Sequence, residues 1–590
     1  MPRRPARGAR RYEPERSRRK RRIIGAFGVV ALSVLGWLAF NAVSARNHLL
    51  DARAALEAAQ AASDRDDEPE VDEAARRAGA ELKAASNAVS QPQWSLYAHL
   101  PWVGDDARAV RTIAQVGATV GGKILDDLLD ARGTLADGGL RRDDGSVDLA
   151  RVAALRRPLG AAAAPLADAA ERLGDLPQNG LSSSIRDAVE AAADAAERAA
   201  NAVRVADRTL NIAVPMLRGS HDYAVVFQNS AELRPTGGLP GAWSVLEVRD
   251  GRIAIGRQGS GRDVIADGPV APIDPGVERT LGARVATDFR DTALVPDFPT
   301  AASYQQALLA AVEGVDVDGV LAIDPVAISY LLGATGPITL SSGTSLSEDN
   351  AVDYLLHQVY VDIPDPDEQD AVFAGIVKQV FDRLLSADLP TADLIDAVSR
   401  AVGERRFLVW SDEDAVQRRI SRTSVSGALP ADGQGVGIYF SDGTRSKMSY
   451  FLDVDATARA VDCGSEGQEY RIALTLRSTA PPDAATTEPS YVLGPDFREK
   501  GAQVVNILML APRGGTVPVA SILGGRFPTD DLSVDGRPGA LLTLLLRPGE
   551  AAPLQISMSG PAGERGPTPF GMTPTVRFAS TEHTIPSACG

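Results

Sequence analysis

One apolar run, Ile23 to Val43 (IIGAFGVVALSVLGWLAFNAV), constrains this chain more than any other feature. Its 21 positions carry no charge, and at 1.5 Å per residue such a helix is about 30 Å long, enough to cross the hydrocarbon core. Eleven basic residues precede it: Arg3, Arg4, Arg7, Arg10, Arg11, Arg16, Arg18, Arg19, Lys20, Arg21 and Arg22. Only Glu13 and Glu15 oppose them. The positive-inside bias therefore predicts a single-pass anchor, with residues 1–22 cytoplasmic, residues 23–43 spanning, and the bulk of the chain extracytoplasmic. The competing reading is a cleaved signal peptide, with Val43-Ser44-Ala45 as a small-residue cleavage site. A signal h-region runs only about 7–15 residues, which favours the uncleaved anchor. Beside a spanning helix, topology and anionic headgroups explain the basic tail better than nucleic acid does.

The tail's eleven positive and two negative charges give +9, and the whole chain carries −16, so the remainder carries −25. A region that acidic excludes nucleic acid as a partner. The two cysteines, Cys463 and Cys589, both fall on the extracytoplasmic side under this topology, where disulfides persist. Paired, they would tie the C-terminal tail to the start of the last domain. Two free thiols are the alternative.

Three textures follow the anchor, and the expected class is multidomain α+β. Residues 46–217 are Ala-rich, with apolar positions at 3–4 spacing in five stretches, for example VDEAARRAGAELKAASNAV and SSIRDAVEAAADAAERAANAVRVADRTLNIAV. Polar and Pro-containing breaks such as Gln91-Pro92-Gln93 separate them. This predicts an extracytoplasmic bundle of about five helices, a stalk or spacer. Trp94, Tyr97 and Trp102 interrupt it and most simply plug the bundle end. Residues 221–453 mix strands with helices: Tyr223–Phe227, the hairpin Ala242–Val248 and Ile253–Gly256, Gly319–Ile323 and Ile338–Leu340, with helical stretches at Ala301–Val312, Pro325–Leu332 and Asp370–Ser386. That predicts an α/β core domain. Residues 454–590 read as strands separated by Pro and Gly, including Tyr470–Leu476, Val504–Leu510, Leu541–Leu546 and Leu554–Met558, a β-sandwich with its ends stapled by the cysteines.

Most catalytic signatures are missing. The five histidines are scattered, with no HExxH and no pair at ligand spacing, and there is no P-loop, CxxC or GxSxG. Gly259-Ser260-Gly261 reads as a turn. One segment is chemically dense: Gln228-Asn229-Ser230-Ala231-Glu232-Leu233-Arg234-Pro235-Thr236-Gly237-Gly238 follows the first strand of the middle domain, where α/β sheets place ligands. Asn229 and Thr236 offer hydrogen bonds. Arg234 can clamp a phosphate or carboxylate. Glu232 can bind a divalent metal or orient Arg234. Gly237 and Gly238 would let backbone approach a ligand. A structural turn closed by a Glu–Arg pair is the competing reading. A second polar cluster holds Arg290 (Asp288-Phe289-Arg290-Asp291) and Asp297 (Pro296-Asp297-Phe298-Pro299), with Asp297 also readable as a helix N-cap.

The string QNSAELRPTGG resembles the signature of an uncharacterised bacterial membrane family, domain of unknown function 4012. The likeness continues through PDFPT (Pro296–Thr300), VDGVLAIDPVAISYLLGATGPITL (Val317–Leu340), EDNAVDYLLHQVY (Glu348–Tyr360) and SKMSYFL (Ser446–Leu452), and reaches HLPWVGDDARAV (His99–Val110). That resemblance implies no particular activity. A looser resemblance joins the middle domain to the LytR-CpsA-Psr phosphotransferases of cell envelopes, which share the short tail, single membrane helix and extracytoplasmic α/β domain. It implies that Arg234 and Glu232 hold a lipid pyrophosphate together with a divalent cation such as Mg²⁺. The family's Arg-x-Ser-Asp-Thr-type motif is absent, with Arg234-Pro235-Thr236-Gly237 in its place.

Two functions follow as expectations. One is an anchored envelope protein that binds or transfers a lipid-pyrophosphate-linked glycopolymer. Phosphoryl transfer needs mainly positioning and charge, so absent nucleophile motifs do not exclude it. The other is a non-enzymatic scaffold that engages an envelope protein or sugar. A sensor is disfavoured because residues 1–22 hold no domain.

Overall fold

The computed structural model describes residues 43–589 except 63–64, 66, 93, 102, 137–141, 143, 341, 385–390, 466, 523–524 and 581. The expected tail and membrane helix, apart from Val43, lie outside the described residues, as does Trp102. Among the described residues no helix is long and apolar enough to cross a membrane. The fold is multidomain α+β, helical in its N-terminal part and sheet-rich in its C-terminal part, and it divides into two compact units.

The first unit, Met1–Leu140 and Ala150–Leu210, consists, where it is described, of helices joined by turns. Helical residues 43–62 are followed by Glu68–Val89, then Gly104–Thr119, which runs through a turn with a non-helical Gly122 into Leu125–Ala136, then Leu149–Gly174 and the long helix that starts at Ser183. Asp67 caps Glu68–Val89 by accepting from Glu70 N, the short-range satisfaction a first turn needs. Small side chains let these helices approach closely: a Cβ at Gly79 would stand 2.4 Å from Gly121 O. Trp94 is buried against Ala45, Ala85, Val89 and Ala107, and its indole N–H donates to Ala107 O at 3.0 Å. It therefore fills space between helices whose own alanines bury little area.

The second unit, Arg141–Leu149 and Asn211–Gly590, contains two β systems. The first uses β1 (Ser220–Asn229), β2 (Leu239–Arg249), β3 (Arg252–Ser260) and β4 (Gly319–Ile323), then, beyond the small hairpin of β5 (Ile338–Thr339) and β6 (Ser345–Leu346), β7 (Phe407–Ser411). The sheet order is β3-β2-β1-β4-β7, with β1 and β4 parallel and the other neighbours antiparallel. Both faces are covered, which is why β1 reads as a nearly continuous apolar run. Ala224 and Val226 pack with Phe289, Phe298 and Leu308 on one side. Val225 and Phe227 face the other, toward Leu321 and Ile323, where helices Pro325–Thr335, Pro366–Leu384 and Thr391–Gly403 share a core. Each large apolar side chain buried in this way contributes about 1.5–3 kcal/mol.

The second β system adds β8 (Val436–Asp442), β9 (Leu452–Gly464), β10 (Gly467–Ser478), β11 (Gln503–Leu510), β12 (Val519–Ile522), β13 (Gly525–Arg526), β14 (Asp530–Val534), β15 (Arg537–Leu546), β16 (Ala551–Ser559), β17 (Thr568–Met572) and β18 (Thr584–Ile585). They form sheets ordered β13-β12-β16-β10-β9 and β14-β15-β11-β8-β17-β18. Ile472, Leu474 and Ile556 from one sheet share a core with Phe440, Ile507 and Leu542 from the other. Central strand β8 comes before residue 454, so this core draws on chain from both sides of that position. The two systems are also joined by a buried ion cluster. Arg406, at the start of β7, pairs with Asp324 (2.7 Å) and Glu404 (2.6 Å) and donates to Thr575 O (2.8 Å).

Cys463 and Cys589 form a disulfide across 126 residues, with Cα atoms 5.1 Å apart. Reducing it, or replacing both residues with serine, is expected to cost about 2–4 kcal/mol, because a long loop regains freedom in the unfolded chain. Denaturant titration with and without reductant measures this directly.

Candidate functional site

The segment after β1 is built around its own backbone. Asn229 ends the strand, and its Oδ1 accepts from Ala231 N at 3.0 Å. Glu232 N donates to Asn229 O at 3.0 Å, and Leu239 N donates to Glu232 O at 2.9 Å as the chain enters β2. Gly238 packs so tightly that a Cβ there would lie 2.4 Å from Asn229 C. Gly237 has φ +134°, and a Cβ on it would meet Gln228 Oε1 at 2.7 Å. The glycines thus serve close approach to the segment's own chain. Thr236 accepts from Gln228 Nε2 at 3.0 Å and is buried. Gly237→Ala is expected to cost about 1–3 kcal/mol from backbone strain alone, read as a lower melting temperature.

Arg234 is buried and faces inward. Its Nη1 donates to Leu233 O at 3.0 Å, its Nη2 stands 3.7 Å from Asp291 Oδ1, and its Nε has no hydrogen-bond partner. The neighbouring Leu233 sits in the core between the two C-terminal sheets, and its carbonyl accepts from Asp442 N at 3.0 Å. Arg290 grips Asp288 with two hydrogen bonds, 3.0 and 2.8 Å. Despite burial, those bonds hold the Asp288 carboxyl below its usual range. Asp297 is the N-cap of helix Phe298–Leu308, accepting from Thr300 N and also from Leu429 N.

Three of the seven ligand-binding candidates, Asn229, Glu232 and Arg290, line one cavity of about 190 Å³. Arg234, Thr236, Gly237 and Asp297 are not among its lining residues. The cavity's polar end centres on Lys447, whose position among the candidates the sequence does not signal. The Lys447 side chain is 4 % exposed, and its Nζ lies 2.5 Å from Glu232 Oε1. The same Nζ sits 4.4 Å from the centre of the Tyr360 ring and 4.1 Å from that of Tyr491. Asn229 Nδ2 donates to the Tyr360 hydroxyl at 2.9 Å. Burial alone would push the ammonium pKa down, but the Glu232 carboxylate and the two tyrosines hold it above the ordinary lysine value. Burial pushes the Tyr360 hydroxyl up. Lys447 is therefore an ammonium and Tyr360 a neutral hydrogen-bonding phenol. Farther round the wall, Arg262 pairs with Asp367 and with Asp370 at 3.3 Å.

Much of the remaining lining is apolar, including Phe227, Leu239, Leu355 and Phe373. Phe227, Ile328 and Val377 line this cavity and also a second one of about 240 Å³. The second cavity lies between the five-stranded sheet and helices Pro325–Thr335, Pro366–Leu384 and Thr391–Gly403, and every one of its sixteen lining residues is apolar. A space lined only by apolar side chains accepts hydrocarbon. Side by side, the two present an ionic end and a hydrocarbon-compatible space.

Among the described residues no three His, Cys, Asp or Glu side chains are grouped to hold a metal ion. Glu232, the candidate ligand, already gives Oε1 to Lys447, so its donor set does not fit a Mg²⁺ site as it stands.

No curated protein and no solved structure matches this chain. The family match ends before Ser446–Leu452 and begins after His99–Val110, but it takes in the segments from QNSAELRPTGG to EDNAVDYLLHQVY. Residues 218–360, which carry β1, Glu232 and Tyr360, match the model of the family described as Protein of unknown function (DUF4012).

Proposed function

We propose that this is an envelope protein, anchored through Ile23–Val43 with its bulk extracytoplasmic, whose middle domain binds a lipid-linked headgroup of the polyprenyl pyrophosphate-glycopolymer class. The observation that carries this reading is the wholly apolar cavity adjoining an ionic one, with Phe227, Ile328 and Val377 in both walls. A prenyl chain would fill the first, and Arg290 and Lys447 would face the charged head in the second. The looser likeness to LytR-CpsA-Psr phosphotransferases supports the same class of ligand. Transfer chemistry would then rest on positioning and charge.

The test is binding of a long-chain polyprenyl pyrophosphate to the full chain in detergent, with and without Mg²⁺, beside the polyprenol that lacks phosphate. Saturable binding that is stronger for the pyrophosphate is expected. No binding of either lipid, or equal binding of both, would sink the headgroup assignment.

A specific observation favours a second reading, a non-enzymatic scaffold. Each cation at the cavity already has a carboxylate: Lys447 has Glu232, Arg290 has Asp288, and Arg262 has Asp367 and Asp370. A site whose charges are satisfied needs no anionic ligand to be stable. In that case pull-downs with the full chain would retain an envelope protein, and the lipids would not compete.

A further inference from the structure

A third, smaller cavity of about 110 Å³ lies beside β8 and β17, separate in its lining from both cavities above. Its charged or ionisable lining residues are Arg405, Tyr439, Arg537 and His583, and no carboxylate belongs to its wall. Arg537 is 1 % exposed. Its two Nη atoms are spent on main-chain carbonyls, Gly433 O at 2.7 Å, Gln434 O at 2.9 Å and Pro430 O. Its Nε has no hydrogen-bond partner, and its ion-pair partner Asp535 stands 4.0 Å away, half-exposed and bonded to Arg513 at 2.7 Å. Arg405 is held at φ +58°, a backbone conformation that costs a side-chain-bearing residue energy, and no described carboxylate pairs with it. Its Nη1 comes near Gly571, where a Cβ would lie 3.4 Å from it.

The backbone makes room for this arrangement. Gly437 and Gly571 are register partners on β8 and β17, and the Tyr439 side chain lies across both. A Cβ at Gly437 would come within 2.4 Å of its ring, and one at Gly571 within 2.6 Å of its hydroxyl. His583 keeps Nε2 on Gly403 O at 2.7 Å. Buried Arg537 and half-buried Arg405 thus line one space with a phenol and an imidazole, and no carboxylate belongs to its wall. Arg405 has no described carboxylate partner, and a charge-assisted oxyanion contact would supply one.

We propose that this cavity is a binding site for a phosphate-sized oxyanion, held by Arg405 with the Tyr439 hydroxyl in the positive field of Arg537. The proposal is independent of the lipid-headgroup reading. Burial disfavours the charged form of Arg537 and lowers its pKa, and a bound anion would reverse that.

The experiment is calorimetric titration of the full chain in detergent with inorganic phosphate, sulfate and acetate at constant ionic strength. Saturable binding of phosphate and sulfate is expected. Arg405→Asn removes the charge and tolerates the left-handed backbone. It should weaken binding roughly ten- to a hundredfold. Tyr439→Phe should weaken it less, and Val377→Trp, which alters the other cavity, should leave it unchanged. No saturable phosphate binding, tighter binding of acetate than of phosphate, or full affinity in Arg405→Asn would each overturn the site. Loss of phosphate binding in Val377→Trp would overturn it too, by assigning the anion to the other cavity.

Discussion

Lys447→Met is expected to lower the stability of the second unit by about 3–5 kcal/mol, the cost of stranding one member of a buried ion pair. Glu232 keeps 14 % side-chain exposure and loses the ammonium 2.5 Å from its Oε1. Tyr360 and Tyr491 lose the cation between their rings. Asn229 Nδ2, 3.4 Å from the same Oε1, is a poor substitute. The matched change Glu232→Gln with Lys447→Met removes both charges, and it should recover much of the loss because replacing a buried pair by neutral groups is often nearly neutral. Chemical denaturation of the two single variants and the double variant measures the coupling. A loss below about 1 kcal/mol for Lys447→Met would mean the pair behaves like a solvated surface contact and does not organise the cavity.

The second large effect falls on binding. Val377→Trp is expected to reduce affinity for a polyprenyl pyrophosphate by about a hundredfold or more. Val377 is buried on helix Pro366–Leu384 and belongs to the walls of both the ionic and the apolar cavity. An indole there would occupy space that several methylenes of a chain would otherwise fill, at about 0.8 kcal/mol for each one excluded. Overpacking costs typically 1–3 kcal/mol, and the empty volume beside the residue should keep the cost at the low end. Melting temperature separates the two effects. Unchanged lipid affinity in a folded Val377→Trp protein would rule out the apolar cavity as the seat of the chain.

Much of the local architecture was legible from residue order. The Ala-rich repeats lie in helices such as Glu68–Val89 and Leu149–Gly174 because 3–4 spacing puts one apolar stripe on each. Tyr223–Phe227 and Ala242–Val248 lie in β1 and β2, and Tyr470–Leu476 and Val504–Leu510 in β10 and β11. Asp297 capping its helix was readable from a Pro-flanked acidic residue before an apolar stretch.

The partners of the chemically dense segment were not legible in this way. Glu232 meets Lys447 across 215 positions, and Asn229 meets Tyr360 across 131. Arg234 turns to Asp291 and away from the cavity, because Leu233 beside it is drawn into the core between the C-terminal sheets. The apolar residues of helix Pro325–Thr335 look the same in sequence whether they fill a core or line a space. Periodicity reports which face of an element is apolar, a property of neighbours three or four apart. Which charge a buried carboxylate meets, and whether facing apolar surfaces close or leave a cavity, depends on how distant elements pack. The sequence by itself therefore determined many of the helices and strands and the expectation of an anchor, while Gly259-Ser260, read as part of a turn, ends β3. The packing of the sheet, its helices and the C-terminal strands decided that Glu232, Lys447 and Tyr360 form one site beside an apolar chamber.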